Sequence, residues 1–180
     1  MDFKEKLNEL RLDCAIKQKK GLHIILASVL IWIAVLCVHL SSLPILSKNL
    51  YTFCCTAPLL PISFVISKII KVDFQNKDNP LTNLGILFSV NQIVYLLIAM
   101  WIYNEVPDKM LMVIAMIFGA HLMPYGWLYM SKTYMVFSVA VPIAALVVGL
   151  LCEPFILAIM MIGVEVLFSI CLVLENKKLG

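Results

Sequence analysis

Six apolar stretches, each long enough to cross a bilayer, limit what this chain can fold into. They run over residues 21–40, 50–70, 84–103, 110–129, 134–152 and 154–174. About 20 mostly apolar residues in helical form cross ~30 Å of hydrocarbon. The expected fold is therefore all-α: a polytopic bundle of six transmembrane helices, with a polar segment 1–20 before it and a tail 175–180 after it. Hydrophobic residues make up 62% of the 180 and charged residues 14%. A soluble domain carries nearly half and about a quarter, and a chain this short could not hide the excess from water.

The basic residues fall unevenly between the loops. Twelve lie on one side: Lys4, Lys6, Arg11, Lys17, Lys19, Lys20, Lys68, Lys71, Lys77, Lys132, Lys177 and Lys178. Only Lys48 and Lys109 lie on the other. Positive charge is retained in the cytoplasm, so both termini are expected there, in a multi-pass plasma-membrane protein. The first twenty residues place Phe3, Leu7, Leu10 and Cys14 on one helical stripe. Such a helix either lies on the inner leaflet or stands solvated. The connection Cys152-Glu153-Pro154 could sit inside one kinked helix, but 41 residues are too many for one span.

Ionisable groups are scarce inside these stretches, and one of them is expensive. Glu165 lies well within the last span, where an unpaired charge costs at least ~2.5–3.5 kcal/mol. It should face the bundle interior, neutral or paired. At ~1.5 Å per residue, His121, Asn91 and Gln92 reach a comparable depth, with Ser63 and Ser138 slightly nearer the inner surface. Tyr95 follows Asn91, and Tyr125 follows His121, at the i,i+4 spacing that puts side chains on one face. The functional reading is a cytoplasm-facing polar pocket of Glu165, His121, Asn91, Gln92, Tyr95 and Tyr125, as in a small transporter or sensor. The plainer reading is that the amides only hydrogen-bond neighbouring helices.

Other features carry packing rather than chemistry. Pro58, Pro61, Pro124 and Pro142 are expected to kink their helices. Ala115 with Gly119, and Ala145 with Gly149, form the small-xxx-small pairs of close crossings. Cys37, Cys54, Cys55 and Cys152 read as small hydrophobes, since no C-x-x-C spacing occurs. His23 and His39 are expected at the interfaces. No H-E-x-x-H, G-x-S-x-G, phosphate loop or dinucleotide fingerprint is present. No catalytic residue, metal site, cofactor or nucleic-acid partner is therefore expected. The expected surroundings are the lipid bilayer and, on the competing reading of a non-catalytic accessory subunit, a second copy or another membrane protein.

Several short motifs resemble those of a known group. They are Lys19-Lys20-Gly21 entering the first span with Ile31-Trp32 inside it, Lys77-Asp78-Asn79-Pro80-Leu81 in a loop, and Gly119-Ala120-His121 with Pro124-Tyr125-Gly126-Trp127 in the fourth span. The chain resembles a family of small, uncharacterised integral membrane proteins of Gram-positive bacteria. That resemblance implies a bacterial plasma membrane and supplies no activity.

Overall fold

A computed structural model describes residues 2–179. No strand occurs among them. A polar helix α1 (Phe3–Lys17) leads into α2 (Leu22–Leu40), α3 (Ile45–Thr56), α4 (Leu59–Ile69), α5 (Leu81–Glu105), α6 (Met110–Ala120), α7 (Leu122–Leu128), α8 (Lys132–Leu151) and α9 (Pro154–Lys177). α3 and α4 together form one span, as do α6 and α7. Six helical segments are thus long and apolar enough to cross a membrane.

The breaks follow backbone chemistry. The second span bends at Ala57-Pro58, between α3 and α4. The fourth bends at His121, three residues before Pro124, whose ring leaves the Ala120 carbonyl without its helical donor. α8 continues through Pro142 without a break. Glu153 takes an extended conformation and Pro154 occupies the first turn of α9, so the Cys152–Pro154 connection separates two helices. Polar residues proved poor boundary markers at the start of the second span. α3 begins at Ile45, because Lys48 donates to the His39 carbonyl (3.0 Å) and Asn49 to the Pro107 carbonyl (2.9 Å) without leaving the helix.

Besides a small cluster of Ala99, Met110 and Ile114, the core divides into two large apolar clusters along the bundle axis. One, toward the chain termini, gathers Leu22, Ile25, Leu122, Tyr125, Tyr129, Tyr134, Phe168 and Leu172. The other gathers Ile31, Trp32, Val35, Leu111, Ala115, Val141, Ala145, Leu157 and Met161. α9 packs most extensively against α2, and α6 against α8. The small residues permit the second contact: a Cβ on Gly119 would stand 2.5 Å from Pro142 Cδ, and one on Gly149 2.4 Å from Met112 Cγ. α5 lies at the periphery, with only Thr82 and Ala99 buried.

The terminal end is covered by α1, which docks one side on the bundle and leaves the rest of its surface, with Phe3, Leu12 and Ile16, exposed. Cys14 and Ala15 are buried against the bundle, whereas Phe3 at the far tip is exposed. Asn79 donates to the Leu10 carbonyl and to Asp13 (both 2.7 Å), and Asn76 to Asp13 (3.0 Å). The Arg11 guanidinium lies 4.4 Å from the centroid of the Trp127 ring and donates to the Trp127 carbonyl. After α1 the chain turns through Lys19, Lys20 and Gly21, with φ of 46°, 50° and 71°. Such a conformation costs a lysine of order 1 kcal/mol, and neighbouring groups hold it in place. Asn176 donates to the Lys19 carbonyl (2.9 Å), Tyr134 to the Lys20 carbonyl (2.8 Å), and the buried Lys20 ammonium pairs with Glu175 at 2.7 Å.

Candidate functional site

Glu165 stands in the seam between the two clusters. It lies between Met161 of the upper cluster and Phe168 of the lower, and it is fully buried. Neither Oε1 nor Oε2 has a hydrogen-bond partner among the described residues, though Ser28 of α2 stands beside the carboxyl. A desolvated carboxyl without partners is an uncommon choice for helix glue, because its charge would cost several kcal/mol and even its neutral form leaves hydrogen bonds unmade.

Other helices mark the same seam with a polar residue. Ser28 falls between Ile25 and Ile31 on α2, and Ser138 between Tyr134 and Val141 on α8, each pair bracketing the two clusters. Both serines are buried. Ser138 satisfies its hydroxyl on the Met135 carbonyl (2.8 Å), and Ser63, buried on α4, on the Leu60 carbonyl (2.8 Å). These serines need nothing from Glu165. One turn beyond the carboxyl, Ser169 also keeps an unpartnered hydroxyl. It borders a surface groove of about 520 Å³ between α2 and α9, walled by Leu26, Leu30, Val166 and Ile170.

The residues singled out with Glu165 go separate ways. His121 sits at the bend between α6 and α7, its Nδ1 within hydrogen-bonding distance of the Phe118 carbonyl and its ring edge-on to Phe118 and Tyr125. Tyr125 turns toward α5, where its hydroxyl donates to the Gly85 carbonyl (3.0 Å) and shares a hydrogen with Ser89 (2.6 Å). Asn91 and Tyr95 do pair, amide to hydroxyl at 2.9 Å, but on an exposed face of α5. Gln92 is half-buried beside them. His23 and His39 stand at the two ends of α2, as expected, and both are buried, His23 edge-on to Phe74 and His39 bonded to Thr52 (3.1 Å). All six cysteines are free thiols.

Below the seam, aromatic rings fill the route to the terminal end. Phe168 stacks on Phe137 and meets Tyr134 edge-on, and Tyr134, Tyr129 and Tyr125 pack within about 6 Å of one another. Tyr129 then donates to Gln18 at the end of α1 (2.8 Å). Glu175 collects the last hydrogen bonds: Lys20, Ser131, and both the amide and hydroxyl of Thr133. Sequence reasoning missed this plug, although Tyr129, Tyr134 and Glu175 all stood at the inner ends of their helices.

Outside the spans, α1 is held by charge. Hydrogen bonds from Asn79, then Asn76, draw the Asp13 carboxyl down to about 2. The hydrogen bond to Asp13 in turn raises Lys17, which lies 2.9 Å away.

The bundle thus carries a buried carboxyl at mid-depth, sealed toward the termini by aromatic rings and a docked helix. No curated protein and no solved structure matches the chain. The model of a family of unknown function, DUF7010, matches residues 7–175, nearly the whole length. The chain belongs to that family.

Proposed function

We propose that this protein is a proton-responsive membrane bundle of the transporter or sensor kind, with Glu165 as its working group. It would reside in a bacterial plasma membrane with both termini in the cytoplasm. The observation that carries the reading is the setting of Glu165: full burial, a carboxyl with only Ser28 beside it, and a seam between two clusters that Phe118 and Phe137 bridge. A group so placed is held neutral by desolvation. Deprotonation demands that the seam open to water or a cation, which couples protonation to the packing of α2 against α9. His121 lies apart from Glu165 at the bend of the fourth span and supplies a hinge, because a helix already broken there can reorient at little cost.

The test compares backbone amide exchange along α2 and α9 between pH 5 and 8, for wild type in nanodiscs and for Glu165→Gln. Once the intrinsic base-catalysed rise in amide exchange is divided out, wild type should lose protection at the higher pH and the variant should not change. Identical profiles in both would end the proton-responsive reading. The twelve-to-two charge split makes a separate prediction. With the native cysteines replaced, an impermeant thiol reagent should label a cysteine introduced at Ser42 from outside intact cells and leave one at the exposed Lys77 unlabelled until the membrane is permeabilised.

One observation favours the accessory reading as well. Asn91 and Tyr95 place polar groups on the exposed flank of α5 among Val90, Ile93, Val94 and Leu97. Buried in hydrocarbon, an amide gains from a partner helix. If that flank meets a second copy or another membrane protein, Asn91→Leu should reduce the associated fraction in native mass spectrometry while leaving the monomer folded. An unchanged distribution would assign the pair to lipid-facing packing.

A further inference from the structure

The end of the bundle away from both termini holds a second polar feature, separate from the seam. A cavity of about 750 Å³ opens between the end of α2, the start of α3, the loop before α6 and the α8–α9 connection. Its size lies within the roughly 300–1,000 Å³ usual for small-molecule sites. His39, Lys48, Asp108, Lys109, Glu153 and Phe155 are among its walls. Lys48 and Lys109 are the two residues that depart from the charge bias of the whole sequence, and they meet here from 61 positions apart.

Each ammonium is held by one hydrogen bond to a carbonyl near a helix end, Lys48 to His39 (3.0 Å) and Lys109 to Gly149 (2.9 Å). An ammonium has three donors, so each keeps two for another acceptor. The carboxylates of Asp108 and Glu153 share the cavity. Yet the ion pairs among the described residues are Lys17–Asp13 and Lys20–Glu175, so none joins the four charges of this cavity. No side-chain hydrogen bond from another described residue reaches either carboxylate. Two ammoniums held by carbonyls and two exposed carboxylates therefore line one concavity without pairing.

We propose that this cavity binds a small zwitterion, an oxyanion and an ammonium carried on one short frame. The oxyanion lies against Lys48 and Lys109, where the start of α9 adds its positive end. The ammonium lies against Glu153 and Asp108. An anion alone would face the two carboxylates unrelieved, and a cation alone the two lysines. Only a ligand of both signs satisfies the whole lining. Two sources carry that chemistry: a free amino acid, and the ethanolamine head group of a lipid in the adjoining leaflet.

The experiment uses the full chain in nanodiscs of phosphatidylglycerol, which contribute no zwitterion, and isothermal titration calorimetry. The probes are alanine, glycerophosphoethanolamine, inorganic phosphate and ethylamine. One of the first two should bind at least tenfold tighter than phosphate and ethylamine, and which one does identifies the source. Glu153→Gln and Lys109→Gln should each weaken it tenfold or more. Glu165→Gln, in the separate seam, should leave it unchanged, so this site stands or falls independently of the proton-responsive reading. Should Lys109→Gln fail to fold for want of its Gly149 contact, Asp108→Asn with Glu153→Gln carries the test, since neither carboxylate supports the structure. Phosphate or ethylamine binding as tightly as the zwitterions, indifference to Glu153→Gln, or no binding of either zwitterion would overturn the proposal.

Discussion

The two ends of this bundle carry similar side chains and use them in opposite ways. At the terminal end, Asp13, Lys17, Lys20 and Glu175 are all paired, and Asn76, Asn79, Gln18 and Thr133 complete their hydrogen bonds. At the far end Lys48, Lys109, Asp108 and Glu153 stand around open space without pairing. The first arrangement fixes a conformation. The second leaves donors and acceptors unused, which is what a binding surface needs and a structural joint does not. Between them lies Glu165, buried as deeply as any core leucine and without a partner.

If the terminal end is a structural joint, cutting it should be costly. Glu175→Ala strands the buried Lys20 ammonium and frees four donors. Breaking a buried pair by removing one partner costs roughly 3–5 kcal/mol, and thermal unfolding in detergent should show the largest loss of stability in this set. A Tm within error of wild type would mean that the closed end contributes no stability.

Undocking α1 should cost less and stay local. Asn79→Ala removes the two hydrogen bonds that this side chain gives to α1, one to a carboxylate, for roughly 1–3 kcal/mol. Amide exchange should rise along α1 and the strap at Lys19–Gly21 while α9 stays protected. Uniform exchange across both helices would show that α1 is not a separable element. Acid should have the same effect. Asp13 is drawn down to about 2 from an ordinary 3.8, so its contribution is present above the ordinary value and is lost as pH falls through the folded one. Relative to the intrinsic rate at each pH, exchange in α1 should therefore accelerate between about pH 4 and 2 in wild type, and Asp13→Asn should remove that excess.

The smallest effect belongs to the far end. Asp108→Asn and Glu153→Gln break no bond, and each should change stability by no more than about 0.5 kcal/mol. A loss comparable to that of Glu175→Ala would erase the contrast between the ends.

Much of this was legible in the chain, and the part that was not has a common cause. Six spans followed from hydropathy, because a bilayer imposes a length that no local detail overrides. The burial of Glu165 followed from the cost of a carboxyl in hydrocarbon. The direction in which α5 faces did not, since a helix apolar on every side gives no stripe to read, so Asn91 and Tyr95 fell outside the seam they were assigned to. The docking of α1 was hidden for a different reason. Its stripe of Phe3, Leu7, Leu10 and Cys14 suggested an apolar contact, but Asn76 and Asn79 anchor it from more than sixty residues away, and single polar residues in a loop leave no periodic mark. The far-end cavity was visible only as an exception, two lysines on the wrong side of a charge bias.

The account rests most heavily on the state of Glu165, and infrared difference spectroscopy reads that state directly. Spectra of wild type and Glu165→Gln at pH 7 in nanodiscs, before and after transfer to deuterated buffer, isolate the carboxyl stretch of this one side chain. The seam as described predicts a protonated carboxyl band, absent from the variant, that shifts only slowly on deuteration because the aromatic rings and α1 exclude water. An ionised carboxylate at pH 7, exchanging with bulk water at once, would contradict it.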